Sequence, residues 1–533
     1  MTATVQTLLL MMAVLAAVDV AARRLKVAPS ILLVVAGLLL ALTPGLPPVT
    51  LAPEVVLLVI LPPLIYSAGV AMSWREFRFN LRPIALLAVG CVLFTTGAVA
   101  AAAHYLLGLP WTVGFVLGAI IAPPDTVAPL AIARRLGLPR RLVVVLEGEG
   151  LANDATALII YRFAVAAVAT GSFSLPQAGG TFLAIVAGEI VWGIAIGWAS
   201  LHLRKWAREP RVEITLSLMT PYVAFWIPEY AGGSGVLATV ACGLWVSWNG
   251  PLLISSATRL QGIFFWDFIV YLTEGFVFLL TGLQLRTLLD QPHIFTLAQV
   301  GLVILLITAI IVVARFVWVF PATYIPRWVI PRIARNDPSP PWQFPFFLAF
   351  TGVRGVVSLA AALALPYTIA SGADFPQRAL ILFVTFGVII VTLVGQGILL
   401  PAVAHALGLS RVAEDERNAD LTAEINARLA ALEEVEKRLE SVGEKLPEPV
   451  RELLRTRNRS RAQILPHDLE DGLDQLRLSA KVKKELIDAE RRFIHRQLRE
   501  GKLTDEARRR IEYELDLEEA SLANRARDSG GWM

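Results

Sequence analysis

The sequence predicts an all-α polytopic membrane protein of about thirteen transmembrane helices followed by a helical cytosolic tail. Three observations carry this prediction. First, charge is segregated. Of 92 charged residues in the 533, 53 follow residue 410, and the first 410 hold only 39. An ordinary soluble domain is about one quarter charged, so a single soluble globular domain is excluded. Second, the first 410 residues divide into thirteen apolar stretches, each near the roughly 20 residues that cross a bilayer. Third, basic residues occupy alternate loops: eighteen lie on one side, and only Arg286 and Arg378 on the other. The chain therefore reads as a transmembrane domain, 1–410, and a cytosolic tail, 411–533, with a regulatory or dimer-contact role.

The spans fall near 4–21, 28–44, 51–72, 81–107, 111–136, 142–169, 178–204, 213–230, 234–249, 260–287, 296–322, 343–368 and 376–407. Turn formers separate them, as at Thr43-Pro44-Gly45, Gly108-Leu109-Pro110 and Ala231-Gly232-Gly233. The N-terminus lacks a basic stretch, so the first span does not read as a cleaved signal peptide. The basic loops run from Arg23-Arg24 through Arg134-Arg135 and Arg140-Arg141 to Arg327, Arg332 and Arg335. Positive loops stay inside, which puts the N-terminus outside and the tail in the cytoplasm. Cys91 and Cys242 sit in apolar runs and offer neither a disulfide framework nor metal spacing, so no cofactor is implied.

Ionisable groups inside spans are costly and mark function by default. They are Asp125, Glu147, Glu149, Asp154, Glu189, Asp267, Glu274 and Arg354. Asp19, Arg162 and Arg315 lie nearer span ends and read as snorkelling groups. Asp125, Asp154 and Arg354 each fall about 16–18 Å deep at 1.5 Å per residue, near the midplane. Asp125 follows Pro123-Pro124, which cannot continue a helix and must free backbone carbonyls. Such a break is tolerated where it lines a protein-walled cavity, and carbonyls beside a carboxylate suit a hard cation. The competing reading is a proline kink whose aspartate caps the second half-helix.

In the sixth span Glu149 and Asp154 lie about 140° apart around the helix and face different neighbours. Gly148 and Gly150 admit close approach of another helix or a ligand. Structural pairing of all its acids is the alternative. In Thr351-Gly352-Val353-Arg354-Gly355, the permanently charged Arg354 needs a permanent anion. Glu149 is the first candidate and Glu147 the second. Glu189 and Glu274 are deep enough to extend a proton path or to hold a structural hydrogen bond. Asp267 is shallower and suits a vestibule or interface.

With these residues in view, the chain resembles the bacterial sodium/proton antiporters of the monovalent cation:proton antiporter superfamily, in its first, electroneutral branch. The likeness rests on Pro123-Pro124-Asp125, on Glu149 through Asp154, on Gly352-Val353-Arg354-Gly355 leading to Ala360–Pro366, and on the tail's Glu514–Glu519. It implies two six-helix inverted repeats with broken fifth and twelfth helices crossing at the ion site. It also implies a homodimer in the bacterial inner membrane. By the resemblance Asp154 binds the cation or proton, Asp125 assists, Asn153 marks the electroneutral branch, and Glu149 and Arg354 form a structural ion pair. Three departures stand out. Pro124 and Thr126 flank the unwound aspartate where relatives carry threonine before it and proline after it. Gly150 replaces a serine, and a third-helix glutamate is missing around Tyr66-Ser67. Thr126, Ser67, Glu147 and Glu274 are further candidates for the site.

One carboxylate that holds either a cation or a proton suffices for exchange. With Asn153 neutral and Arg354 neutralised, one cation exchanges for one proton by alternating access. Oxygen ligands favour a hard alkali ion and leave Na⁺, K⁺ and Li⁺ open. Two other classes were weighed. An intramembrane aspartyl protease needs two carboxylates sharing a proton, and a buried arginine at the same depth argues against it. A cation channel needs a filter, and no filter sequence is evident. The protein therefore reads as a transporter and not an enzyme. Its partners are the lipid bilayer, cations and protons, and nothing suggests sequence-specific nucleic-acid binding.

In the tail, Leu421, Ile425, Leu429, Leu432, Val435, Leu439 and Val442 repeat at helical spacing. Pro447 and Pro449 interrupt that helix. Helices near 468–500 and 505–522 follow, with Gly501 as C-cap and Thr504 as N-cap.

Overall fold

The computed structural model describes residues 2–44, 52–171, 173–289, 297–369, 372–443, 447–463, 469–500, 502–503 and 505–528. Gly45, Gly501 and Thr504, expected at a turn and two caps, lie outside them. The chain divides into two compact units, Met1–Ser410 and Arg411–Met533.

Among the described residues the first unit holds, besides the two short helices Trp74–Phe79 and Pro331–Asn336, thirteen main helical segments. These are α1 (Thr2–Leu25), α2 (Pro29–Ala41), α3 (Pro53–Ala71), α4 (Leu81–Leu107), α5 in two halves, α5a (Trp111–Ile121) and α5b (Val127–Arg135), and α6 (Arg140–Thr170). Then come α7 (Leu175–Ala207), α8 (Pro210–Tyr230), α9 (Val236–Leu253), α10 (Ser256–Leu289) and α11 (Leu297–Val329). The series ends with α12a (Gln343–Phe350), α12b (Val356–Leu363) and α13 (Arg378–Ala406). Among the described residues eight of them are long and apolar enough to cross a membrane; the other five are α1, α8, the short α2, and the interrupted α5 and α12. The protein is a multi-pass membrane protein.

The repeat is visible in the packing. The two breaks lie seven segments apart, and the same offset maps α2 on α10 onto α9 on α3, both extensive contacts. Each contact closes on a glycine pair. A Cβ on Gly37 would meet the Gly282 Cα at 2.9 Å, and one on Gly69 would meet the Gly243 Cα at 3.3 Å. Only glycine lets the two backbones come so near. An offset of seven is odd, so related segments cross in opposite directions, which is the inverted topology.

One boundary differs from expectation with a consequence for the site. The apolar pattern ends α11 near residue 322, but the helix runs on through Pro321 and Pro326 to Val329. Arg315 therefore lies about 21 Å from the C-terminal end of its helix, far beyond snorkelling reach.

The tail unit contains most of α14 (Leu409–Gly443), then α15 (Glu448–Gln463), α16 (Leu469–Arg499) and α17 (Asp505–Asp528). Asn458 of α15 donates to the Leu432 carbonyl of α14 at 3.2 Å. Ile487 and Leu515 are buried where α16 packs on α17, and Arg491 bridges to Glu519 at 2.5 Å.

Candidate functional site

The two broken segments meet at their unwound stretches. The Asp125 amide donates to the Val353 carbonyl at 2.7 Å, joining one break to the other. Pro123-Pro124 stops α5a and frees carbonyls, as the residue types demand. The Asn153 amide, wholly buried on α6, donates to the Pro124 carbonyl at 2.7 Å. Asp125 Oδ1 accepts the Val127 amide at 2.9 Å and so caps α5b. Its other oxygen lies against Gly355, where a Cβ would overlap the carboxylate. Cap and cavity readings of Asp125 thus hold together: one oxygen fixes the half-helix and the side chain still faces the open space.

That space is a cavity of about 290 Å³ walled by α3, the α5 break and α5b, α6, α10 and α12b. Asp125, Thr126, Asp154, Glu274 and Ser358 line it. At its end, Glu147 is paired with Arg134, whose side chain is 59% exposed, so the cavity reaches solvent on the side of the basic loops. Asp154 and Glu274 accept no hydrogen bond from any described residue. Asp125 lies within coulombic range of both. Among the described residues the one basic side chain in the lining is the already paired Arg134. The carboxylates are spread along the walls, and among the described residues no three acidic, His or Cys side chains converge as a resident metal site would require. The arrangement leaves acidic groups to be neutralised by something mobile, a cation or a proton.

The expected Glu149–Arg354 pair is not what forms. Glu149, fully buried on α6, takes a two-pronged bond from Arg315 of α11, at 2.5 and 2.8 Å. Arg315 also donates to the Leu348 carbonyl at 3.0 Å. Gly352 makes room for this side chain, since a Cβ there would stand 3.0 Å from Arg315 Cδ. Arg354 is equally buried and within coulombic range of Glu149 and Arg315. Its Nε and Nη1 find no acceptor, while its backbone amide bonds Thr392 Oγ1 at 3.0 Å. The physical reason is reach and geometry: both carboxylate oxygens of Glu149 are taken by one guanidinium in fork-to-fork contact. Glu147, the second candidate partner for Arg354, is held by Arg134 instead.

The remaining expectations sort by position. Thr126 Oγ1 fills the place where a side chain at Gly150 would sit, so the hydroxyl absent from α6 is supplied from α5. Ser67 does not line the cavity. Glu189 does not line this cavity. It accepts Ser234, Gly235 and Leu237 amides at 2.5, 3.0 and 3.0 Å and caps α9. Asp267 is exposed on α10. Arg162 pairs with Glu229 of α8, and Asp19 with Arg23, so neither Arg162 nor Asp19 is simply a snorkelling group. Ser358 was missed. Its signal was a hydroxyl in the first turn after a helix break, aimed where half-helix N-termini meet ligands. Arg315 lies deeper than the apolar pattern predicts because its helix continues past residue 322 to Val329.

The family profile described as sodium/hydrogen exchanger, transmembrane, matches residues 9–406. An uncharacterized Na⁺/H⁺ exchanger of Mycobacterium tuberculosis is 32% identical over 534 residues, covering 97% of each chain. A sodium, potassium, lithium and rubidium/H⁺ antiporter of Bacillus pumilus is 33% identical over 381 residues, 69% of this chain and 56% of its own. Among solved structures, the sodium proton antiporter MjNhaP1 from Methanocaldococcus jannaschii superposes with a TM-score of 0.62 at 19% identity. That match covers 76% of this chain and 98% of the other, and it speaks to the fold alone.

Proposed function

This chain belongs to the transmembrane sodium/hydrogen exchanger family, and we propose that it exchanges a monovalent alkali cation for a proton, one for one, at Asp154. The observation that carries the reading is the cavity itself. Among the described residues Asp154 has neither a hydrogen-bond donor nor a paired counter-charge, and it faces the cavity with Asp125 where two helix breaks cross. A carboxylate in that setting binds a cation or a proton, and each excludes the other because one negative charge is being neutralised. Asp125 and the Thr126 and Ser358 hydroxyls complete an oxygen shell suited to hard ions. Asn153 holds the broken helix α5 in place and adds no charge, so one charge moves each way. Glu274 is the third acid and relays protons along the cavity.

The cavity's reach toward the basic loops supports an inward-open reading, with the N-terminus outside and the tail in the cytoplasm. Alternating access then follows from rocking of the repeats about the crossing. The Bacillus relative's name supports a broad cation range, so sodium, potassium and lithium are all expected substrates. The active unit is a homodimer in the inner membrane, with the tail as a regulatory or dimer-contact module.

The test is a pH-dye assay on proteoliposomes given Na⁺, K⁺ or Li⁺ in turn, with the voltage clamped or free. Cation-driven proton movement unaffected by the clamp is expected, and Asp154→Asn reduces it to background. Wild-type exchange in that variant removes Asp154 from the centre. A rate that follows the imposed voltage rejects the one-for-one ratio.

A further inference from the structure

A second cavity, sharing no lining residue with the first, lies between α4, α6, α11 and α12a. Its volume is about 50 Å³, and since a water needs about 10–15 Å³ by this measure, it fits a group the size of a phosphate. Arg82, Arg141 and Arg327 edge it. All three converge on one carboxylate, Asp337: Arg141 at 2.6 Å and Arg327 at 2.8 Å, with Arg82 on the same oxygen as Arg327. Three guanidiniums against one acid leave two positive charges over. Arg327 is spent, since it also donates to the Asp337 and Thr323 carbonyls. Arg82 and Arg141 are 27% and 30% exposed. Arg82 gives one nitrogen to Asp337, and Arg141 adds a 3.3 Å bond to Asn80 and lies over the Phe79 ring, 6.0 Å from its centre. Their remaining N–H groups face outward.

Position decides what they face. Arg82 and Arg141 stand in the first turns of α4 and α6, and Arg327 in the last turn of α11. That is headgroup depth, and the exposed Phe79, Trp328 and Trp342 mark the same level. Below the arginines the walls are apolar, among them Leu86, Val145 and Leu348. A soluble anion has no use for an apolar floor, but an acyl chain does.

We propose that this cleft binds an anionic phospholipid, its phosphate held by Arg82 and Arg141 and one chain laid along the apolar wall. Basic pockets between helices on the cytoplasmic side are where such head groups bind. Asp337 and Arg327 are the positioning pair that pre-sets the other two guanidiniums.

The full chain is purified in neutral detergent and melted with phosphatidylglycerol, phosphatidylcholine or inorganic phosphate added. Phosphatidylglycerol is expected to raise the melting temperature more than phosphatidylcholine, and inorganic phosphate to leave it unchanged. The Arg82→Gln/Arg141→Gln double variant should weaken apparent phosphatidylglycerol affinity at least about tenfold. The double lysine variant should keep most of the shift. If the double glutamine variant does not fold, Arg82→Gln alone carries the test, with lipid retained in native mass spectrometry as the readout. Equal shifts from both lipids, or a phosphatidylglycerol shift that survives loss of the arginines, overturns the site. A full shift from inorganic phosphate alone overturns the lipid assignment in favour of an adventitious ion only.

Discussion

Glu149 and Asp154 stand five residues apart on one helix, both deep in the bundle, and they do opposite things. Glu149 is shut away with both oxygens on Arg315. Asp154 faces a cavity and accepts no hydrogen bond from any described residue. Burial of charge is tolerable when it is paired and hydrogen-bonded, and costly otherwise. The first carboxylate is therefore fixed and the second is available. An acid in a membrane span is a functional signal only after its partner has been found, and the partner is set by which way five residues of helical rotation point it.

The comparison is broken most directly by neutralising each acid. Asp154→Asn should abolish cation-dependent proton movement in vesicles and leave melting close to wild type, since no protein bond is lost. Glu149→Gln should do the reverse: its main effect is on folding. Breaking one side of a buried pair costs about 3–5 kcal/mol, because Arg315 is left charged and alone. Arg315→Met should cost as much, and the double Glu149→Met/Arg315→Met less than either. Melting of detergent-solubilised protein checks this. If Arg354→Met destabilises more than Arg315→Met, Arg354 is the real counter-ion.

Much of this contrast was legible in the sequence. The Pro123-Pro124 break, its aspartate and the opposed faces of α6 follow from residue type and helical angle. The roles of the two glycines around Arg354 follow only from the fold, since Gly352 clears Arg315 and Gly355 clears Asp125. The choice of arginine was not legible. Two deep guanidiniums competed for one glutamate, and the prolines near the end of α11 hid how deep Arg315 lies. Glu189 was also ambiguous: a deep glutamate reads alike on a proton path and under a helix N-terminus. Chain reversal at Gly235, which has φ of +68°, is what brings three amides to it.

A smaller effect sharpens the cavity side. Thr126 occupies the volume of a side chain at Gly150. Gly150→Ser alone should overpack and cost about 1–3 kcal/mol. Adding Thr126→Ala should relieve it and return the hydroxyl to α6. Thr126→Ala alone removes one neutral oxygen, about 0.5–1.5 kcal/mol, so the cation KM in vesicles should rise roughly 2- to 10-fold. An unchanged KM for all three cations means that this hydroxyl never meets the ion.

The smallest effect concerns a third acid, Asp337, which is paired like Glu149 but placed at the surface. Burial pushes its carboxyl up, yet the bonds and charges of Arg141 and Arg327 hold it below the usual carboxylate range. A depressed folded value means the stabilisation is complete above the unfolded value, near pH 4, and drains away as pH falls through the folded one. Asp337→Asn should therefore lower melting at pH 7 but converge with wild type in strong acid. Solvent screening limits the loss to about 1 kcal/mol or less. Salt separates the two kinds of pair. Raising ionic strength shortens the Debye length and should erase the Asp337 difference, while the Glu149–Arg315 cost, closed to solvent, stays. A salt-independent Asp337→Asn loss would place that cluster in the interior class with Glu149 and leave Asp154 as the one acid of the three that solvent ions reach.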